Sequence, residues 1–221
     1  MVTTSRPKVF EDHARSPLLA IVRGHAPDAA RDTVETLLDE GVSLLEVSLT
    51  STDALQVIAD AAAHAPSTAR VGAGTVLTAD DARASADAGA TFLVTPGLCA
   101  GAETGIALGL PVLVGALTPS EVIAAVRMGA SAVKLFPAGL GGPGYLRALR
   151  APFPDVPFVP VGEVDLQTAL EYLDSGAVAV GVGSPLVGDA ADGGSLEQLR
   201  SRVRAYVAAL EQLRSSRPVA G

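Results

Sequence analysis

Of the sixteen basic residues in the chain fourteen are arginine, and the two lysines are Lys8 and Lys134. Lys134 lies in Ser-Ala-Val-Lys-Leu-Phe-Pro, a run otherwise free of charge. Read as a strand, period-two alternation puts Ala132, Lys134 and Phe136 on one face and Val133 and Leu135 on the other. Burying an ammonium without a partner is costly, and the usual relief is a depressed pKa that leaves neutral amine at working pH. A neutral amine attacks carbonyls, and the protonated imine it forms draws electrons from an adjacent C–C bond. The alternative is a structural lysine that reaches to the rim of the fold or pairs with a carboxylate.

Such a carboxylate is present in Leu-Leu-Glu-Val-Ser-Leu, where alternation turns Leu44, Glu46 and Ser48 to one face. Desolvation raises the pKa of a buried glutamate and a nearby cation lowers it, which is the pattern of an acid/base site. A plain buried Lys–Glu ion pair would show the same two residues. Arg23, in Ala-Ile-Val-Arg-Gly, has a planar fork suited to a substrate carboxylate, or lies in solvent at a strand end. Thr75 offers a hydroxyl beside glycines that admit close backbone approach. Gly162 and Gly183-Ser184 end two strand-like runs, where barrels commonly bind phosphate through backbone N–H groups; they serve equally as turn residues.

These side chains need a scaffold that points them at one place. Val/Ile/Leu-rich runs fall at residues 18–24, 44–49, 70–77, 92–97, 111–117, 132–137, 157–164 and 177–184, each followed by a turn and an Ala-rich stretch. Eight βα units in 221 residues predict a small (β/α)8 TIM barrel, with an open doubly wound sheet as the alternative. In a barrel Lys134 and Glu46 point inward near the C-terminal mouth. Helix starts are marked by Thr118-Pro119-Ser120-Glu121, with an N-cap, a first-turn Pro and a capping-box Glu, and by Thr78 and Asp165. Ser195 and Gln198 open a last helix with an apolar stripe of Leu196, Leu199, Val203, Val207, Leu210 and Leu213. The expected organisation is one domain over residues 1–221, with an N-terminal helix in segment 1–16 and a tail at 215–221.

Composition narrows the rest. With 48% hydrophobic and 18% charged residues the chain is not disordered, and 4% aromatics without Trp mean a core of Ala, Val, Leu and Ile. The uncharged stretches 88–102 and 104–120 are broken by Gly, Pro and Thr, so no membrane span is expected. A net charge of −8 argues against a nucleic-acid partner. His13, His25 and His64 are scattered, so no metal is expected. The single Cys99 excludes an intrachain disulfide and, with no secretory pattern around Arg6, Pro7 and Lys8, points to the cytoplasm.

The runs Ala-Ile-Val-Arg-Gly, Leu-Leu-Glu-Val-Ser-Leu, Val-Gly-Ala-Gly-Thr-Val-Leu, Val-Thr-Pro-Gly, Val-Lys-Leu-Phe-Pro and Gly-Val-Gly-Ser resemble the 2-keto-3-deoxy-6-phosphogluconate/4-hydroxy-2-oxoglutarate (KDPG/KHG) aldolase family. Arg23-Gly24 and Gly142-Pro143 with Tyr145 resemble its phosphogalactonate branch more closely. The resemblance implies a (β/α)8 barrel, usually a homotrimer, acting as a cofactor-free, metal-independent class I aldolase on a 2-keto acid, with pyruvate as one product. It places the imine lysine on Lys134 and the acid/base glutamate on Glu46. Arg23, Thr75 and Pro96 match positions around the pyruvyl half, Phe136 packs beside the lysine, and Gly162, Gly183 and Ser184 match the phosphate end.

Three residues depart from the pattern of that family. Thr50 stands where the phosphogluconate branch has Arg, and Pro185 removes a backbone N–H after Ser184. Glu163 replaces the second glycine of a strand-seven Gly-Gly pair, where a carboxylate would repel a phosphate by about 4 kcal/mol per charge pair at about 4 Å and an effective dielectric of about 20. Together they predict weakened phosphate recognition and an unphosphorylated 2-keto-3-deoxy acid as substrate. The competing readings are a phosphate-binding isomerase or epimerase that forms no covalent intermediate, and a keto-acid-binding barrel without turnover.

Overall fold

In the computed structural model, which describes residues 17–216, parallel strands alternate with helices. The strands are β1 (Leu18–Val22), β2 (Leu44–Ser48), β3 (Arg70–Gly74), β4 (Leu93–Val94), β5 (Val112–Ala116), β6 (Ala132–Leu135), β7 (Phe158–Pro160) and β8 (Val180–Val182). The helices are α1 (Pro27–Asp39), α2 (Ala54–His64), α3 (Ala79–Asp87), α4 (Ala100–Ala107), α5 (Pro119–Met128), α6 (Gly142–Arg150), α7 (Leu166–Asp174), α8 (Ser184–Val187) and α9 (Leu196–Ser216). Strands pair in chain order from β1 to β7, and β8 returns to pair with β1. Between β7 and β8 the ring closes through the bridge Val161 to Gly181, and the Val178 N–H donates to the Phe158 carbonyl at 3.0 Å. This is the (β/α)8 barrel read from the sequence, and the bridge between β7 and β8 excludes the open sheet.

Alternation along each strand divides the apolar side chains into two layers. Leu19, Leu44, Phe92, Val94, Leu113, Ala132, Val159, Val161 and Ala179 fill the barrel, with Ile21 and Phe136 packed on them. Ala20, Val22, Leu45, Val47, Val71, Val112, Val114, Val133 and Leu135 face the helices. With few aromatics available, size is matched locally. A Cβ on Gly72 would come within 2.5 Å of the Phe92 ring, so the glycine on β3 makes room for the large side chain beside it.

The helix starts follow the capping residues. Thr78 and Thr118 each complete a capping box, with Asp81 and Glu121, and Asp165 accepts from the Thr168 N–H at 2.8 Å. Ser195 accepts from the Gln198 N–H at 3.3 Å ahead of α9, and Arg200 and Arg204 of that helix grip Glu40 at 2.7–3.0 Å. Helix α9 continues through Ser216, into the segment expected as tail, because its apolar stripe keeps packing as far as Leu213. The expected N-terminal helix in residues 1–16 lies outside the described residues. Among the described residues no helix is long and apolar enough to cross a membrane.

Strands β4, β7 and β8 are shorter than the runs at 92–97, 157–164 and 177–184. Pro96 has no N–H to give a ladder and Gly162 turns at φ +99°, so the runs at 92–97 and 157–164 leave the sheet at their C-terminal ends and join the mouth of the barrel, whereas β8 is shortened mostly ahead of Val180. The packing of Gly72 against Phe92 makes a direct test. Gly72→Ala should cost about 1–3 kcal/mol by overpacking, read as a lower urea midpoint at unchanged m. An unchanged midpoint would show that the ring is free to move aside.

Candidate active site

Lys134 and Glu46 reach the same space from strands on opposite sides of the barrel. In the pairing register Glu46 lies between Ile21 of β1 and Gly72 of β3, and Lys134 between Gly115 of β5 and Val159 of β7. Glycines flank both groups. A Cβ on Gly74 would sit 2.5 Å from Glu46 Oε1, so Gly74 is the seat of the carboxylate. A Cβ on Gly115 would strike the Pro96 backbone, and its absence lets the loop after β4 lie across β5 beside the lysine. That loop is pinned by Thr95, whose hydroxyl donates to the Gly97 carbonyl at 2.8 Å.

Both charges are out of water: Lys134 is 5% exposed and Glu46 2%. Burial pushes the Lys134 amine below its usual 10.5; Glu46 opposes the shift and Arg23 adds to it. Burial likewise pushes Glu46 above its usual 4.5, opposed by Lys134 and then by Arg23. Glu46 Oε2 is buried with no hydrogen-bond partner, so it keeps an oxygen free to take up a proton. Lys134 Nζ stands 4.9 Å from the centroid of the Phe136 ring, which covers one side of the amine.

A hydroxyl cluster borders this pair. Ser48 Oγ lies 2.8 Å from Thr50 Oγ1 and 2.9 Å from Thr75 Oγ1. Thr75 has φ +60°, a left-handed conformation that is strained for a β-branched residue. In this conformation its hydroxyl meets Ser48 while the residue lines the cavity.

Arg23, Glu46, Thr75, Pro96, Lys134, Phe136, Gly162, Glu163, Gly183 and Ser184 all line one cavity of about 660 Å³ at the C-terminal mouth of the barrel. Arg23 is exposed at the rim and lines this space. The same wall includes residues that sequence reasoning does not mark as ligands. Ile21, Val161 and Val187 make its apolar part, Thr50 adds a hydroxyl, and Pro185 and Gly188 complete the distal rim. Ile21 shares a face with Arg23, and Ser48 with Glu46, so the period-two rule is the signal that finds both. Val187 and Gly188 belong to a four-residue helix and its cap, which no sequence pattern marks.

Residues 10–199 match the family model for KDPG and KHG aldolases. The chain belongs to the KDPG and KHG aldolase family. A probable 2-dehydro-3-deoxy-6-phosphogalactonate aldolase of Rhizobium meliloti (strain 1021) is 35% identical over 82% of this chain and 87% of its own length. A solved structure described as native KDPGal superposes with TM-score 0.84 at 32% identity, covering 90% of this chain and 96% of that one. A KDPG aldolase from Legionella pneumophila, solved with pyruvate captured at low pH as a covalent carbinolamine intermediate, superposes with TM-score 0.78 at 28% identity. That match covers 90% of this chain and 96% of the other.

Within this aldolase barrel the two buried charges have opposite linkage to stability. Folded Lys134 binds its proton less tightly than the unfolded chain does, so its contribution to stability grows as pH rises through the folded pKa toward 10.5. Glu46 stabilises below 4.5, and that contribution is lost as pH rises through its raised pKa. Because the chain has two lysines, ε-carbon labelling gives two NMR signals to titrate. One should titrate below 10.5, vanish in Lys134→Arg, and move lower still in Glu46→Gln, which removes the anion that holds the proton on. Two signals at the ordinary lysine position would contradict the burial.

Proposed function

We propose that this chain is a class I aldolase that cleaves a 2-keto-3-deoxy sugar acid to pyruvate and an aldehyde through an imine on Lys134. The observation that carries the reading is a lysine 5% exposed at the barrel mouth, facing a buried glutamate with an unpartnered oxygen. The carbinolamine captured in the Legionella pneumophila relative supports the same chemistry here.

The Lys134 amine, kept partly neutral by burial, attacks the C2 ketone, and loss of water from the carbinolamine leaves an iminium. Unlike the free amine, the iminium keeps its positive charge beside Glu46. It therefore draws the raised pKa of Glu46 down and leaves a carboxylate ready to act as base. Glu46 takes the C4 hydroxyl proton, the C3–C4 electrons flow into the iminium, and the aldehyde departs. Glu46 then returns the proton to C3 of the enamine, and water hydrolyses the pyruvyl imine to restore the amine. The guanidinium of Arg23 and the hydroxyl of Thr75 hold the substrate carboxylate, and Pro96 and Phe136 close around the pyruvyl carbons. Gly162, Glu163, Gly183 and Ser184 face the distal end.

We further place the enzyme in the cytoplasm as a single domain and assign it a homotrimer. The support on this chain is an exposed apolar patch of Leu77 (47%) and Leu98 (39%). Their two loops are tied by the Gly101 N–H to the Leu77 carbonyl at 3.0 Å and by the Cys99 thiol to the Val76 carbonyl at 3.5 Å. Light scattering should give three times the chain mass, and Leu77→Asp should reduce it; a monomeric parent would refute the assignment.

Borohydride reduction with pyruvate, followed by peptide mass spectrometry, decides the chemistry. A reduced pyruvyl adduct on Lys134 is expected, with loss of at least about 10³-fold in kcat/KM for Lys134→Arg and about 10²–10⁴-fold for Glu46→Gln. No adduct would favour an isomerase or epimerase without covalent intermediate. An adduct without aldol cleavage would favour a binding barrel.

A further inference from the structure

The distal half of the cavity carries a charge that the reacting half does not need. Gly162 and Glu163 end the run of β7 at φ +99° and +56°, a backbone that suits glycine at both positions. A glutamate held there is under strain, and such strain concentrates where a side chain has work to do. The structure makes room for it. A Cβ on Gly139, in the turn after β6, would collide with Glu163 Oε2 and lie 2.9 Å from its Cβ. The exposed carboxylate therefore rests on the backbone of the turn after β6, and Glu163 is itself part of the lining of the same cavity.

The facing turn has few donors for an anion. The Leu186 and Val187 N–H groups are both taken by the Gly183 carbonyl at 2.9 Å, the Gly188 N–H is taken by the Ser184 carbonyl at 2.8 Å, and Pro185 has none. The backbone there offers a ligand at most the N–H groups of Gly183 and Ser184. A terminal hydroxyl can donate to a carboxylate on this rim. A phosphate or a second carboxylate can only be repelled by it.

We propose that Glu163 sets the distal specificity of the site, admitting 2-keto-3-deoxy acids that end in a hydroxyl and disfavouring those that end in phosphate or carboxylate. The inference rests on the aldolase reading above, and it separates this chain from relatives named for phosphorylated substrates.

The test compares kcat/KM for 2-keto-3-deoxyhexonates and their 6-phosphates in the parent, Glu163→Gln and Glu163→Gly. The glutamine keeps the size, and the glycine relieves the positive φ, so both variants should fold. In low salt the parent should prefer the unphosphorylated acid by at least about tenfold, and both variants should lower that ratio by a similar factor. Added salt should narrow it, because the carboxylate is exposed and screened. A parent that prefers the 6-phosphate, a ratio unmoved by either variant, or one indifferent to salt would overturn the proposal. Borohydride labelling with pyruvate, which has no distal end, is run alongside. An adduct on Lys134 with the wrong preference sinks only the role of Glu163, whereas no adduct sinks the aldolase reading itself.

Discussion

The design of this site follows from the cost of keeping an amine dry. Below Lys134 the barrel is plugged by Leu19, Leu44, Phe92, Leu113, Val159 and Ala179, and the Phe136 ring covers one flank of the amine. Water cannot solvate the ammonium from beneath, so the charged form is penalised and the nucleophilic form gains. The same desolvation acts with opposite chemical effect on Glu46, which it pushes toward the protonated form. A lone buried lysine would lose its proton too readily and a lone buried glutamate would hold it too tightly. Each limits the shift of the other, which leaves a pair whose proton affinities lie closer together than those of the free side chains.

Holding these groups without filling the space between them requires small residues in particular places. Gly74 seats the Glu46 carboxylate and Gly115 admits the Pro96 loop. The left-handed Thr75 is held in the hydroxyl cluster of Ser48. Gly72 serves packing instead, making room for Phe92 one layer down. Glycines on one strand, β3, thus divide between a stability role toward the base of the barrel and a chemical role toward its mouth. Strain at Thr75 and an unpartnered oxygen on Glu46 are stability costs borne at the cavity, above a plug of apolar side chains that fills the barrel.

What the sequence discloses is set by which features are local. Period-two alternation on β2 and β6 is local, so the residue pattern by itself turns Glu46 and Lys134 inward, and the rarity of lysine singles out the second. Capping boxes at Thr78 and Thr118 are equally local. Register between strands is not, and register decides that Gly74 comes against the tip of the Glu46 side chain and that Ser48 meets Thr75. The apolar runs overshoot the C-terminal ends of β4 and β7 because their residues continue into the mouth loops, where Pro96, Val161, Gly162, Glu163 and Val164 line the cavity. At residue 163 the sequence shows a charge in place of a glycine. Only the backbone shows that the glycine conformation is kept and that Gly139 opens to receive the side chain.

The two halves of the cavity are built from different parts of the chain, and this has a consequence for how such a site can change. The half that holds Glu46 and Lys134 is fixed by ladder residues on β2 and β6, where a shift in position disturbs register and core packing together. The distal half is carried by Gly162, Glu163, Gly183 and Ser184, which lie beyond the last paired residues of β7 and β8, and by the short helix α8. Substitutions there alter charge and donor supply at the rim without touching the plug beneath the amine. Arg202, reaching from α9 to the Leu186 and Val187 carbonyls at 2.7 and 2.8 Å, holds α8 in place from outside the cavity. The rim can therefore vary its side chains while its backbone stays anchored. The buried Lys134–Glu46 pair and the distal rim are physically separable in this fold, and the barrel can keep the first while it revises the second.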